Sequence, residues 1–213
     1  MTEPDVAITD YLLAVECALF VGMLYRAEPR SRPLRNAFAL FFAASTAATA
    51  LGGTVHGFFV DTSSEPGGFL WRITMLTVGF VAFALWSLFA LLLFRPPVSN
   101  AIRLIAGVEL LAYALLVLST TRTFIVAIAD YVPPTVMVLI ALLLLYAKRR
   151  EPPLLEGAAG LALGIAASVL QQRHVGIHPV YFNHNALYHL LQAVAFFLVF
   201  RTARHVAGPV GLA

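Results

Sequence analysis

Residues 68–94 read GFLWRITMLTVGFVAFALWSLFALLLF, a run whose one charged side chain is Arg72. A helix needs about 20 apolar residues, at about 1.5 Å rise each, to cross the hydrocarbon of a bilayer. This run is long enough, and it is apolar on every side. A helix with that pattern lies in a membrane or in the core of a large protein.

Similar runs extend in both directions along the chain, at 6–26, 36–60, 98–119, 122–146, 154–173 and 184–204, punctuated by Pro, Gly, Arg or Asp. Seven spans use most of the 213 residues. The prediction is therefore an all-α polytopic membrane bundle, one seven-helix domain over 1–213. Composition agrees: 60% of residues are hydrophobic and 12% charged, against about 45–50% and about 25% in a soluble domain. Mean hydropathy is +0.85. The net charge of +3 resides in short clusters between apolar runs, which excludes a nucleic-acid surface and leaves the lipid bilayer as the partner. The lone Cys17 excludes an internal disulfide and a cysteine-based zinc knuckle. The acidic flank MTEPDVAITD lacks the basic region of a signal peptide, so the first span is expected to stay on the mature protein.

Basic loops stay cytoplasmic. Arg26, Arg30, Arg32, Arg35, Arg95, Arg103, Lys148, Arg149, Arg150, Arg201 and Arg204 fall on one side; Arg72, Arg122 and Arg173 fall on the other. This bias puts the N-terminus outside and the C-terminus inside a plasma or inner membrane. Gly157, Gly160, Gly164 and Ser168, with Ala43, Ala44, Ala47 and Ala48, predict close backbone approach in helices six and two. Pro133 and Pro134 remove two amide donors and strand the carbonyls of Ala129 and Asp130. Helix five is thus expected to kink or break there, with Asp130 facing inward.

Ionisable groups at membrane depth are costly and mark candidate sites. Glu16, Glu109 and Asp130 are the candidate catalytic acids and bases. The i, i+4, i+7, i+11 face of helix two carries Ser45, Thr49, Gly52 and His56, and that of helix seven carries Asn185, His189, Gln192 and Phe196. With Glu109, Tyr113 and Arg72 from helices four and three, these stripes predict an outward-facing polar cavity. Arg72, Tyr113, Asn185 and Gln192 are its candidate substrate-binding residues. Five of the six histidines belong to the outer side, and neutral imidazole is the commonest metal ligand. His56, His184 and His189 are the candidate zinc set, although residues five apart on a regular helix point about 140° from each other. His174 and His178 have better spacing but lie in the Pro-containing stretch QQRHVGIHPVYF. The plain alternative for all these groups is interhelical hydrogen bonding, worth about 0.6 kcal/mol each on average.

The segment FNHNALYHLLQAVAFFLVF, with GGTVHGFF on helix two, resembles the alkaline ceramidase and progestin/adiponectin-receptor superfamily of seven-helix membrane hydrolases. His189 matches the second histidine of that family's helix-seven pair and His56 its helix-two histidine. Asn185 stands where the first of the pair would be, with His184 one residue earlier, and Gly52 stands where a serine would be. The resemblance implies zinc-dependent hydrolysis of a lipid amide or ester, with an acidic residue handling protons.

Two other classes stay open. Membrane-bound seven-helix terpene cyclases look similar in size and work through buried carboxylates without metal. A non-catalytic protein binding a ligand, or a haem between His56 and His189, needs no reaction at all. A retinal protein is excluded, because the one lysine, Lys148, lies in a cytoplasmic loop. Substrate identity and oligomeric state have no signal in the sequence.

Overall fold

A computed structural model describes residues 1–26, 28–119, 123–179 and 181–208. It contains α1 (Pro4–Tyr25), α2 (Arg32–Phe58), α3 (Glu65–Leu93), α4 (Val98–Ser119), α5 (Phe124–Arg149), α6 (Pro152–Gln172) and α7 (His184–Ala207). All seven are long and apolar enough to cross a membrane, as a multi-pass membrane protein requires.

The helix ends follow local chemistry. Proline occupies the first turn of α1, α2, α3 and α6, where its missing amide hydrogen has no helical partner to lose. Ser31, Ser64 and Asn183 cap α2, α3 and α7 through side-chain oxygens. These signals start α2 and α3 earlier than a count of apolar residues does, at Arg32 and Glu65 rather than 36 and 68. The proposed start of span five at 122 lies outside the described residues.

Helix α5 runs unbroken through Pro133 and Pro134, so the expected break is corrected: loss of two amide donors leaves the rest of its hydrogen-bond ladder intact. Asp130 does not turn into the central cavity. Its carboxyl meets Glu109 on α4 instead.

Helices α1, α2, α3, α5, α6 and α7 pack in that order into a ring, closed by α7 against α1 and α2, while α4 packs on α3 outside it. Within the ring, the end carrying the C-terminus is solid. Leu13, Phe20, Phe38, Phe42, Leu88, Leu142 and Phe200 are buried there in one cluster, with Phe20 stacked on Phe200 at 4.2 Å. The α6–α7 seam depends on glycine: a Cβ on Gly157 would lie 2.2 Å from the Thr202 hydroxyl oxygen, and one on Gly160 2.6 Å from the Ala195 carbonyl oxygen. The small residues expected to pack do so at these two positions, and Ala44 and Ser168 are buried as well. Gly164 instead faces open space and Ala43 is exposed. At the same end Glu151 pairs with His205 at 2.9 Å, a bond that holds the Glu151 carboxyl below its ordinary range.

Candidate functional site

The other half of the ring is hollow. A cavity of about 250 Å³ is lined by α1, α2, α3, α5, α6 and α7. Its lining changes with depth. Toward the N-terminal end stand Asp10, His56, Gln171, Asn185, Tyr188 and His189; deeper stand Leu85, Leu161, Phe196 and Val199. The predicted stripes on α2 and α7 both face it, since Ser45, Thr49, Gly52 and His56 line one wall and Asn185, His189, Gln192 and Phe196 another.

In the wall of this cavity, the Nε2 of His189 lies 3.2 Å from Oδ1 of Asp10. Both residues are buried, at 8% and 3% exposure. Burying an ionisable pair is tolerable only with further hydrogen bonds around it. The other ring nitrogen, Nδ1, lies 3.2 Å from the Thr9 hydroxyl. That hydroxyl donates its own hydrogen to the Asp5 or Val6 carbonyl at 2.9 Å, so its oxygen accepts from Nδ1, which carries the hydrogen. Nε2 then presents a lone pair to Asp10, and the contact is a hydrogen bond when a proton lies on it, from a neutral carboxyl or an imidazolium.

Glycine makes room for this pair. A Cβ on Gly52 would come 3.3 Å from Oδ2 of Asp10, and one on Gly53 3.0 Å from its Cβ. Around the pair, Tyr131 bonds Ser168 at 2.8 Å, Gln192 donates to the Tyr188 hydroxyl at 2.6 Å, and Gln171 donates to Asn185 at 3.0 Å. The N-terminal residues close over α2: the amides of Thr2 and Glu3 donate to the carbonyls of Gly57 and His56. The Glu3 carboxylate pairs with Nδ1 of His56 at 2.5 Å. Those contacts satisfy carbonyls that the end of a helix otherwise leaves bare.

Of the residues singled out in the sequence, His56, His189, Asn185 and Gln192 meet at this cavity. Glu16, Glu109, Asp130, Arg72, Tyr113 and His184 do not line it. Glu109 and Asp130 face each other beside Tyr113 on the α4 side. The Tyr113 hydroxyl donates to the Met75 carbonyl at 3.0 Å. His184 leads α7 and its Nε2 lies 3.1 Å from Nδ1 of His174. His174 and His178 are beyond the end of α6, in a turn where His178 and Phe182 exchange backbone hydrogen bonds. Arg122 lies outside the described residues.

Asp10 is the residue that sequence reasoning passed over, because it ends an acidic flank that reads as an interfacial segment. The available signal was helical spacing. Val6, Asp10, Leu13, Ala14 and Cys17 form one buried face of α1, and an acid on such a face needs a partner inside.

The zinc implied by the resemblance can be tested against these donors. His189 spends both ring nitrogens on Asp10 and on α1, His56 spends one on Glu3, and His184 bonds His174. Among the described residues, no three His, Cys, Asp or Glu side chains group as a metal set. The donor set does not fit a three-histidine ion.

The chain belongs to the family described as "Family of unknown function (DUF6962)", whose model matches residues 6–207. No curated protein and no solved structure matches the chain.

Proposed function

We propose that this chain is a membrane-embedded hydrolase that takes an amphipathic, lipid-like amide or ester into its central cavity, with Asp10 and His189 performing the acid–base chemistry. The observation that carries the reading is the buried Asp10–His189 pair, set in the cavity wall above an apolar floor of Leu85, Leu161, Phe196 and Val199. A substrate with its acyl chain against Phe196 and Val199 brings its carbonyl to the pair.

The Asp10 Oδ2, the oxygen that does not face His189, abuts Gly52 on the cavity wall. It accepts a proton from a water molecule as that water's oxygen bonds to the carbonyl carbon. The same proton then passes to the leaving alcohol or amine as the carbon–heteroatom bond breaks, restoring the carboxylate. His189 holds Asp10 in place and balances its charge, as a positioned partner does in general acid–base catalysis. Orientation belongs to this proposal: the eleven basic residues on the C-terminal side favour a cavity mouth on the outer face of a plasma or inner membrane.

The test is hydrolysis of long-chain acyl amides and esters by the full chain in lipid nanodiscs, with products read by mass spectrometry. Wild type should turn over at least one class, Asp10→Asn should abolish turnover, and a chelator should leave it unchanged. Turnover by Asp10→Asn sinks the assignment. Activity lost to a chelator and restored by zinc transfers the chemistry to a metal.

A further inference from the structure

Resting on that amphiphile reading, we propose that Ser45 is a second polar anchor in the cavity, receiving a hydroxyl or carbonyl that the ligand carries partway along its chain. Ser45 lines the cavity and is 3% exposed, and its hydroxyl has no hydrogen-bond partner among the described residues. The other aliphatic hydroxyls on the wall differ. Thr49, Thr74 and Thr135 each donate to a carbonyl one turn back in their own helix, at 2.9, 2.9 and 2.7 Å. Buried polar groups are paired as a rule, so an unpaired one on a residue that lines a cavity calls for a partner, which a ligand atom can supply once the hydroxyl turns toward it.

Its depth sets the ligand class. Ser45 lies seven residues along α2 from Gly52, which abuts Asp10, so the second anchor is about 10 Å below the first at a rise of about 1.5 Å per residue. Val78, Leu161 and Phe196 line the wall around that depth. A plain alkyl chain would satisfy them and leave Ser45 unpaired. A chain with an internal hydrogen-bonding group satisfies all four. The substrate class is thus an amphiphile with a polar head and an internal hydroxyl or carbonyl, rather than a simple saturated lipid.

The experiment compares hexadecan-1-ol with hexadecane-1,9-diol as ligands of the full chain in nanodiscs. Binding is followed by fluorescence of Trp71, which lines the cavity, in a Trp86→Phe background. The diol should bind about fivefold tighter, the usual worth of one neutral hydrogen bond. Ser45→Ala should remove that preference while leaving hexadecan-1-ol affinity unchanged, and should not lower the thermal midpoint of the ligand-free protein. Equal affinities in wild type overturn the anchor alone. A loss of stability in Ser45→Ala also overturns it, by showing the hydroxyl already paired. If neither alcohol binds, the amphiphile reading fails and the anchor with it.

Discussion

The imidazole of His189 is held by its Nε2 3.2 Å from the carboxyl of Asp10, tying the last helix to the first in the wall of the cavity. Neither residue faces lipid, and each is nearly inaccessible. Removing one partner of such a pair leaves the other buried without compensation, at a cost of about 3–5 kcal/mol. Asp10→Ala and His189→Ala should therefore each lower the thermal midpoint sharply, and the double replacement should cost less than their sum. Strict additivity in a double-mutant cycle would show that the two side chains do not interact.

Room for Asp10 depends on Gly52. An added methyl there approaches Oδ2 to 3.3 Å, so Gly52→Ala should shift the carboxyl slightly, and Gly52→Val should displace it. Hydrolysis should fall in that order, with the protein still folded. Full activity in Gly52→Val would mean that Oδ2 is not the reacting atom.

The α6–α7 seam should respond through stability and not chemistry. Gly157→Val puts side-chain atoms into Thr202 and Leu142, an overpacking that costs about 1–3 kcal/mol. Thermal unfolding checks this; an unchanged midpoint would refute close contact at that seam.

Topology is accessible to labelling. In a Cys17→Ala background, a cysteine at Ser64 should react with an impermeant maleimide on intact cells, and one at Arg150 only after permeabilisation. The reverse pattern would place the cavity mouth on the cytoplasmic side.

Acid should weaken the Glu151–His205 contact between α6 and α7. The folded-state pKa of Glu151 is lowered by that hydrogen bond, so its contribution is present above the ordinary carboxylate pKa, about 4.3. It is lost as pH falls through the lower folded value. Both side chains are partly exposed, so the contribution is at most about 1 kcal/mol. Glu151→Gln should flatten this part of the acid limb of a stability profile, and an unchanged limb would count against the pairing.

By itself the sequence determined the seven apolar helices and two of the cavity's walls. Hydrocarbon demands long apolar runs wherever a chain crosses it, and helical periodicity puts Ser45, Thr49, Gly52 and His56 on one face regardless of what that face meets. It also singled out His189, because a histidine on the polar stripe of an apolar span needs a partner. Which partner was a tertiary matter. Asp10 and His189 meet because α1 packs against α7 and Gly52 leaves space between α1 and α2. Cost assigns Glu109 to the cavity and the proline pair turns Asp130 inward, yet α4 packs outside the ring, so Glu109 meets Asp130 of α5 there instead. Periodicity specifies the face of a helix, but only helix order around the ring decides whether that face looks into the cavity or away from it.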